Sequence, residues 1–282
     1  MHTQMNSRAI IQTVVPADIA SDDQLRSDFI RRLILHNPGR RVSKGLPPRL
    51  LIQFWNDATH VPADVRTCLD SWAPLEQSGF KRLLFDDATA FQFIDDNFSE
   101  RHVLAFDACD HPAMRADYFR LCFMLQVGGF YVDADDRYLG QPLDKVLGDS
   151  RLRLQALCYD IPTGSMLAPY EAAKGGERTS HIFYVNNDPL IAPARHPLVV
   201  HTLERATDQV LSAGASGRDI QAMTGPGNLT ACLIEHALEL QGQGSELDFA
   251  LLPNWDAIAV STWPLEYRSD DRNWRNWVRG NG

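Results

Sequence analysis

The stretch from residue 113 to residue 136 constrains the fold of this chain more than any other. Apolar side chains recur at helical spacing over residues 113–127, which predicts an amphipathic helix that faces a core. Gly128 and Gly129 follow, and glycine supplies the positive φ angles that end a helix and turn the chain. Residues 130–132 are then predicted to form a short strand, which leads directly into a cluster of acidic residues.

Asp133 and Asp135 stand two residues apart directly after this strand. In an extended chain they project to the same side, roughly 6.6 Å apart at ~3.3 Å per residue. At an effective dielectric of about 20, two like charges at that distance repel by roughly 2.5 kcal/mol. A chain keeps such a pair when a cation lies between or beyond the two carboxylates. We therefore expect Mg²⁺ or Mn²⁺, hard ions that prefer oxygen ligands, carrying a diphosphate beyond the carboxyl end of the strand.

Asp117 and Arg120 are three residues apart on the preceding helix and share one helical face. With Gly128, Gly129, Tyr131 and the two aspartates they spell D-x-x-R…G-G-x-Y-x-D-x-D. This string resembles the core of the sugar-nucleotide glycosyltransferases with a D-x-D motif. That group includes the Och1-like mannosyltransferases and the catalytic domains of the large clostridial glucosylating toxins. The resemblance implies an α/β fold of the glycosyltransferase-A (GT-A) type, with a mainly parallel central sheet flanked by helices.

Apolar runs and helical periods alternate along the rest of the chain, as is typical of an α/β fold. Residues 50–55 form a nearly continuous apolar run and are predicted to be the first strand of a parallel sheet, buried on both faces. A second strand is expected over residues 80–85. Further strands are expected over residues 152–158, 182–185 and 249–252.

The resemblance implies that four residues of the central stretch do the chemistry. Asp117 would accept hydrogen bonds from hydroxyls of the donor sugar, and Arg120 would donate to oxygen atoms of the sugar or phosphate. Asp133 and Asp135 would hold the metal ion, with Asp133 also at the donor. These four residues are the expected catalytic set.

The donor site implied by the resemblance draws on other segments as well. Trp55, at the end of the first strand, would stack on the nucleotide base, and a packing role in the core is the alternative. Asn187 would bond sugar hydroxyls, although Asn before Asp-Pro is also favourable turn chemistry. Arg115 matches a position that is often basic in the family. The tripeptide Ser261-Thr262-Trp263 resembles the S-x-W of the toxins, in which the Ser helps to hold the metal and the Trp contacts the leaving diphosphate.

The chain is predicted to divide into two parts. Residues 1–45 are expected to be an accessory helical segment, and residues 46–282 the GT-A catalytic domain. Near the carboxyl end, arginines recur at spacings of four, three and four, which predicts a solvated amphipathic helix. These arginines are Arg268, Arg272, Arg275 and Arg279.

The implied activity is transfer of a sugar from a UDP- or GDP-sugar to a glycan, small-molecule or protein acceptor. Retention of configuration and a divalent ion at the D-x-D motif are part of the expectation. A non-catalytic module that binds sugar nucleotides or glycans is one alternative. A metal-dependent phosphoesterase built on the acidic cluster is another.

Charge and cysteine content exclude several other classes. The chain has 27 Lys and Arg against 36 Asp and Glu, a formal charge of -9, which disfavours nucleic acid as a partner. Five cysteines stand singly, without metal-binding spacing. No window approaches eighteen apolar residues and the first thirty residues contain no apolar signal region, so no membrane span is expected. A cytoplasmic bacterial enzyme is expected, with export by a signal-less route left open.

Overall fold

The computed structural model describes residues 23–36, 45–144, 146–176, 179–213, 219–252 and 254–277. The strands in these residues are β1 (Leu50–Phe54), β2 (Lys81–Phe85), β3 (Gly128–Tyr131), β4 (Asp136–Tyr138), β5 (Leu152–Asp160), β6 (Ser165–Leu167), β7 (His181–Pro193), β8 (Phe249–Leu252) and β9 (Ala259–Ser261). The α-helices are α1 (Asp23–Leu35), α2 (Ala63–Ser71), α3 (Asp87–Asn97), α4 (Glu100–Asp107), α5 (Pro112–Gln126), α6 (Pro169–Lys174), α7 (Pro197–Ser212), α8 (Ile220–Met223) and α9 (Pro226–Gly242). Short 3₁₀ turns span Ala73–Ser78, Trp255–Ala257 and Glu266–Ser269.

Across the described ranges, seven strands form one sheet in the order β2-β1-β3-β7-β5-β6, with β8 also paired to β5. The pairs β1–β2, β1–β3 and β5–β8 are parallel, whereas β7 is antiparallel to both of its neighbours and β6 is antiparallel to β5. Five of the seven strands therefore run in one direction. The predicted α/β fold with a mostly parallel central sheet flanked by helices is confirmed. Strands β4 and β9 form a separate antiparallel ribbon.

Both faces of β1 and β3 are buried, as the continuous apolar run of β1 predicts. Ile52 and Tyr131 face the larger core, which also contains the apolar sides of α5, α7 and α9. Leu51 and Phe130, on neighbouring strands, face the opposite side and pack near Trp72. A cavity opens where β1 and β3 end, lined by residues that follow these strands.

Helix α5 begins at Pro112. His111 caps it, with Nδ1 accepting the N–H of Ala113 at 3.0 Å. The helix leads into Gly128, which has φ +75°. A side chain at this position would place its Cβ 2.5 Å from the backbone nitrogen of Ala194 on the neighbouring strand segment, so only glycine fits. The close approach brings β3 directly beside β7.

The extended geometry expected for the acidic cluster is wrong. Strand β3 ends at Tyr131, and the N–H of Asp136 donates to the carbonyl of Asp133 at 3.2 Å, so the chain turns there. The turn allows Asp136 to enter the ribbon, where it pairs with Ser261. Asp133 and Asp135 consequently project from a turn and contact different partners.

Two further expectations need correction. Strand β7 does not end before Asn187 but continues to Pro193, because Asn187 and Asp188 find hydrogen-bond partners inside the protein. The amphipathic helix expected near the carboxyl end is absent from the described residues up to Trp277. A 3₁₀ turn and irregular turns replace it, since the side-chain amides of Asn273 and Asn276 bond the carbonyl of Arg268, each at 2.8 Å. Arg279 lies outside the described residues.

Helix α1 packs on the main sheet. Its apolar side chains, among them Phe29 and Leu33, belong to the same core as β7 and α9. Ser27 Oγ accepts the N–H of Phe183 at 2.9 Å and donates to the carbonyl of His181 at 3.1 Å. The predicted domain boundary after residue 45 stays a prediction. Within the described parts of the chain, every helix is too short or too polar to cross a membrane.

Candidate active site

A cavity of about 460 Å³ opens where β1 and β3 end. Its wall combines Trp55 after β1, the turn after β3, one face of α5, the middle of β7 and the segment around β9. Of the residues singled out in the sequence, the wall contains Trp55, Asp117, Arg120, Asp133, Asp135, Asn187, Ser261 and Trp263. Arg115 is not part of the wall. It pairs with Asp87 and donates from Nε to the carbonyl of Cys109 at 2.9 Å, so it ties α5 to the preceding loop.

Arg120 joins the acidic groups of the site. Its Nη2 lies 2.8 Å from Asp117 Oδ1 and 2.9 Å from Asp133 Oδ1. Its Nη1 donates to the carbonyl of Asn187 at 2.8 Å, and the guanidinium lies 4.2 Å from the centre of the Tyr131 ring. Charge-assisted bonds of this length are the strong ones, and one buried cation therefore holds α5, β7 and the turn after β3 together.

Asp117 is buried and fully bonded. Asn187 Nδ2 donates to its Oδ1 at 2.7 Å, and Thr224 Oγ1 donates to its Oδ2 at 3.4 Å. Burial raises the pKa of Asp117 to about 6, against the opposing effect of the Arg120 charge. Thr224 lies two residues before α9, so the start of this helix is connected to the site.

A second group of contacts surrounds Asp135. Tyr267 donates its hydroxyl to Asp135 Oδ2 at 2.5 Å, and Arg268 Nη2 bonds the same oxygen. That nitrogen also lies 3.2 Å from Ser261 Oγ. The N–H of Thr262 donates to the carbonyl of Asp135 at 3.0 Å. Burial raises the pKa of Asp135, the Asp133 charge adds to the rise, and Arg268 opposes it.

The donor set around Asp135 suits a hard divalent cation. Asp135 Oδ2 and Ser261 Oγ converge on one positively charged nitrogen of Arg268, so the pocket between them already holds a cation. Asp133 adds a carboxylate that is 37% exposed and faces the cavity. In the ranges that the model describes, no group of three His, Cys, Asp or Glu side chains is arranged as a metal site. The residues therefore fit Mg²⁺ or Mn²⁺ with further oxygen ligands from water and phosphate, the usual shell of Mg²⁺.

Aromatic and arginine side chains form one side of the cavity. Trp55 is 8% exposed and packs edge-on against Tyr267, with ring centres 5.2 Å apart. Trp263 is 55% exposed, and the Arg268 guanidinium lies 3.6 Å from its ring centre. Trp55 thus packs against Tyr267 and also lines the cavity.

Sequence patterns missed several residues of the site. Asp188 Oδ1 accepts the N–H of Asp133 at 3.1 Å, and burial raises the pKa of both Asp188 and Asp136 well above the ordinary value. Tyr267 and Arg268 were also missed as site residues. The available signal was the alternation of arginines with aromatic residues after Ser261.

One comparison with known proteins covers the stretch of chain that contains the acidic turn. Residues 62–153 match a family model described as a glycosyltransferase sugar-binding region containing a DXD motif, and the matched residues include Asp117 to Asp135. Comparison with curated protein sequences gave no significant match. A solved structure named PaToxG Glycosyltransferase aligns with 89% of this chain and 92% of its own, at 13% identity and a TM-score of 0.47, a likeness too distant to carry an argument. The resemblance and the enzyme class expected from the sequence are confirmed, because residues 62–153 match a DXD-motif glycosyltransferase region.

Proposed function

We propose that the protein transfers a sugar from a UDP- or GDP-sugar, with Mn²⁺ or Mg²⁺ at Asp135, to a glycan, small-molecule or protein acceptor. One observation carries the proposal. Side chains from widely separated segments, each singled out by sequence for a role at a sugar nucleotide, line the same cavity. Its volume, about 460 Å³, lies in the range of small-molecule sites.

The contacts suggest how a donor would lie. Trp55 packs on Tyr267, which bonds Asp135, so a base beside Trp55 would bring the diphosphate near Asp135 and Ser261. On the other side of the acidic turn, Arg120 is bonded by Asp117 and Asp133. We assign the donor sugar to that group, with Asn187 beside it.

The bound metal would neutralise the charge that develops on the departing diphosphate, by Lewis-acid and template effects. The metal ligands would be Asp135 and Ser261 directly, with Asp133 beside them. Trp263 would cover the diphosphate, because it is exposed at the cavity and close to Ser261. The cavity wall would position the sugar and exclude water.

Retention of configuration is part of the proposal. Asp117 and Asp133 share the Arg120 guanidinium, which stabilises their charge and makes either a poor nucleophile toward the sugar. A front-face route, in which the leaving phosphate assists the acceptor, fits this arrangement better than double displacement.

The two alternative functions fit less well. A phosphoesterase of this kind usually needs several carboxylates or histidines around its metal ions, and the described residues contain no group of three His, Cys, Asp or Glu side chains arranged in that way. A non-catalytic binding module does not need the metal-ligating oxygen atoms of Asp135 and Ser261, which converge on one point. The match of residues 62–153 to a glycosyltransferase region also favours the transferase.

We further propose a reducing compartment such as the bacterial cytoplasm. Cys68, Cys122, Cys158 and Cys232 are buried and lie outside any disulfide. Buried thiols of this kind are typical of proteins in reducing compartments, where disulfides are rare.

Calorimetric titration with UDP and GDP, with and without Mn²⁺, tests the proposal. We expect one nucleotide to bind in a metal-dependent manner, and Asp135→Asn to weaken that binding by at least about tenfold, since it removes a charged metal ligand. Asp95→Asn, at an exposed position on α3, is the matched control and should bind like the parent. Absence of metal-dependent binding of either nucleotide to the parent would refute the proposal.

A further inference from the structure

Arg268 occupies a place that a cation of the donor complex needs. Its side chain is only 11% exposed, and its Nη2 contacts Asp135 Oδ2 and Ser261 Oγ. Its Nε is buried and has no hydrogen-bond partner among the described residues. The guanidinium thus neutralises the carboxylate of Asp135, while its own Nε–H makes no hydrogen bond to the described residues.

A metal ion and this guanidinium cannot share the site. A divalent ion held by Asp135 and Ser261 would lie where Arg268 Nη2 lies now. Two cations bound to one carboxylate oxygen repel each other strongly in a buried, low-dielectric position. Arg268 must therefore leave Asp135 when the ion binds.

The donor supplies a new partner for the displaced arginine. A diphosphate brings negative oxygen atoms to the same pocket together with the ion. A guanidinium can donate from Nε and Nη side by side, so it forms bidentate hydrogen bonds to phosphate oxygens. The ammonium group of a lysine cannot do this. The unused Nε of Arg268 is the donor that this arrangement requires.

Neighbouring arginines are less suited to the role. Arg272 makes bonds to both carboxylate oxygens of Asp270, and Arg275 lies over the Trp274 ring at 4.5 Å. Arg268 lies in a short 3₁₀ turn, and its guanidinium lies 3.6 Å from the centre of the exposed Trp263 ring, over which Arg275 also lies at 5.2 Å. Of these three arginines, Arg268 contacts both Asp135 and Ser261.

We propose that Arg268 is a cation placeholder: it neutralises Asp135 while the site is empty and moves to bind the donor's diphosphate when the metal takes its place. The proposal rests on the proposed function insofar as the donor is a nucleoside diphosphate sugar. Arg268 is then a donor-binding residue, and the placeholder contact keeps the buried carboxylate paired between turnovers.

Two titrations on Arg268→Gln test the proposal. The first measures Mn²⁺ alone, by electron paramagnetic resonance or calorimetry, and we expect binding about three- to tenfold tighter than in the parent, because the competing cation is gone. The second measures UDP or GDP at saturating Mn²⁺, and we expect binding about tenfold weaker, because charge-assisted bonds to phosphate are lost. Opposite changes in the two affinities are the signature of a placeholder.

Two further variants make the test specific. Arg137→Gln makes the same change of charge at an exposed position on β4, outside the cavity wall, and should alter neither affinity. Arg268→Lys keeps the positive charge but loses the planar guanidinium and its paired N–H donors. Its Mn²⁺ affinity should therefore lie near the parent value, while its nucleotide affinity should be about three- to tenfold lower. If Arg268→Gln does not fold by circular dichroism, the Lys variant carries the test.

The outcomes are distinguishable. Weaker binding of both Mn²⁺ and nucleotide in Arg268→Gln would mean that Arg268 merely supports the tail, and unchanged affinities would mean that it does not take part. Either result overturns the placeholder while leaving the proposed function intact, provided that the parent binds UDP or GDP with Mn²⁺. A parent that binds neither nucleotide would overturn the proposed function and the placeholder together.

Discussion

Arg120 bonds the first aspartate of the D-x-D motif, with its Nη2 2.9 Å from Asp133 Oδ1, although thirteen residues separate the two in the chain. The bond ties helix α5 to the turn after β3. Because the same nitrogen also contacts Asp117, both carboxylates take their positions from one buried cation. The geometry of the donor site therefore depends on Arg120 before any ligand binds.

Replacement of Arg120 by Met should lower the free energy of unfolding by about 3 to 5 kcal/mol, because it leaves the buried carboxylate of Asp117 and the partly exposed one of Asp133 without their cation. Urea denaturation measures the change. Arg101→Met is the matched control: Arg101 pairs with Glu204 and Asp208 at the surface, and its loss should cost less than about 1 kcal/mol. Equal losses in the two variants would contradict the role assigned to Arg120.

Trp55→Ala should weaken binding of the preferred nucleotide by about 1 to 3 kcal/mol, roughly five- to hundredfold, the contribution of one base stack. The residue is also largely buried, so its melting temperature must be measured beside the affinity. Trp55→Phe, which keeps an aromatic face, should lose less affinity than the Ala variant. A Trp55→Ala protein that melts earlier but binds nucleotide like the parent would make Trp55 a packing residue alone.

Asp117 should give the protein a characteristic dependence on pH. Its pKa in the folded state, about 6, exceeds the ordinary value of 3.8, so between these pH values the folded protein binds a proton that the unfolded chain has lost. The contribution of this group to stability therefore falls as pH rises from about 4 to about 6 and is level above that range.

Asp117→Asn removes this titration. The difference in free energy of unfolding between variant and parent should thus move in favour of the variant as pH rises from about 4 to about 6. Urea denaturation of both proteins across that range measures the difference, and other titrating groups cancel because both proteins carry them. A difference that does not vary with pH would show that Asp117 titrates as an ordinary carboxyl.

Ser261→Ala should reduce metal-dependent nucleotide affinity by about 1 kcal/mol, roughly fivefold, the typical contribution of one hydrogen-bonding oxygen. Affinity without metal should change little. Ser165→Ala, at an exposed position on β6, controls for loss of a strand hydroxyl. Equal losses with and without Mn²⁺ would indicate that Ser261 shapes the cavity and is not a metal ligand.

Local patterns were sufficient to predict the fold class and part of the site. The apolar run of β1 and the helix–glycine–strand stretch ending at Tyr131 are properties of neighbouring residues, so sequence alone reveals them. The direction of β7 was beyond such reasoning, because its second half, Asn187 to Ala192, is buried throughout and has no alternation that distinguishes parallel from antiparallel pairing. Asn187 has typical turn neighbours, yet its bond to Asp117 keeps it within the strand.

The segment after Ser261 also could not be predicted from local sequence patterns. Arg268 and Arg272 have the spacing of one helical face, and that spacing predicts a solvated helix. The deciding interactions come from far along the chain, since Arg268 bonds Asp135 across 133 positions. No local pattern contains that contact, and the role of Arg268 emerged only from the folded chain.

A donor-hydrolysis screen tests directly whether the protein cleaves a nucleoside diphosphate sugar with the metal at Asp135. The parent is incubated with UDP- and GDP-sugars, with Mn²⁺, with Mg²⁺ and with chelator, and release of the nucleoside diphosphate is measured beside the same reactions of Asp135→Asn. We expect the nucleoside diphosphate to be released from one donor class. This release should require the metal, be lost in Asp135→Asn, and yield sugar with the donor's anomeric configuration. No release from any of these donors, or release that is equal in Asp135→Asn and in chelator, would contradict it.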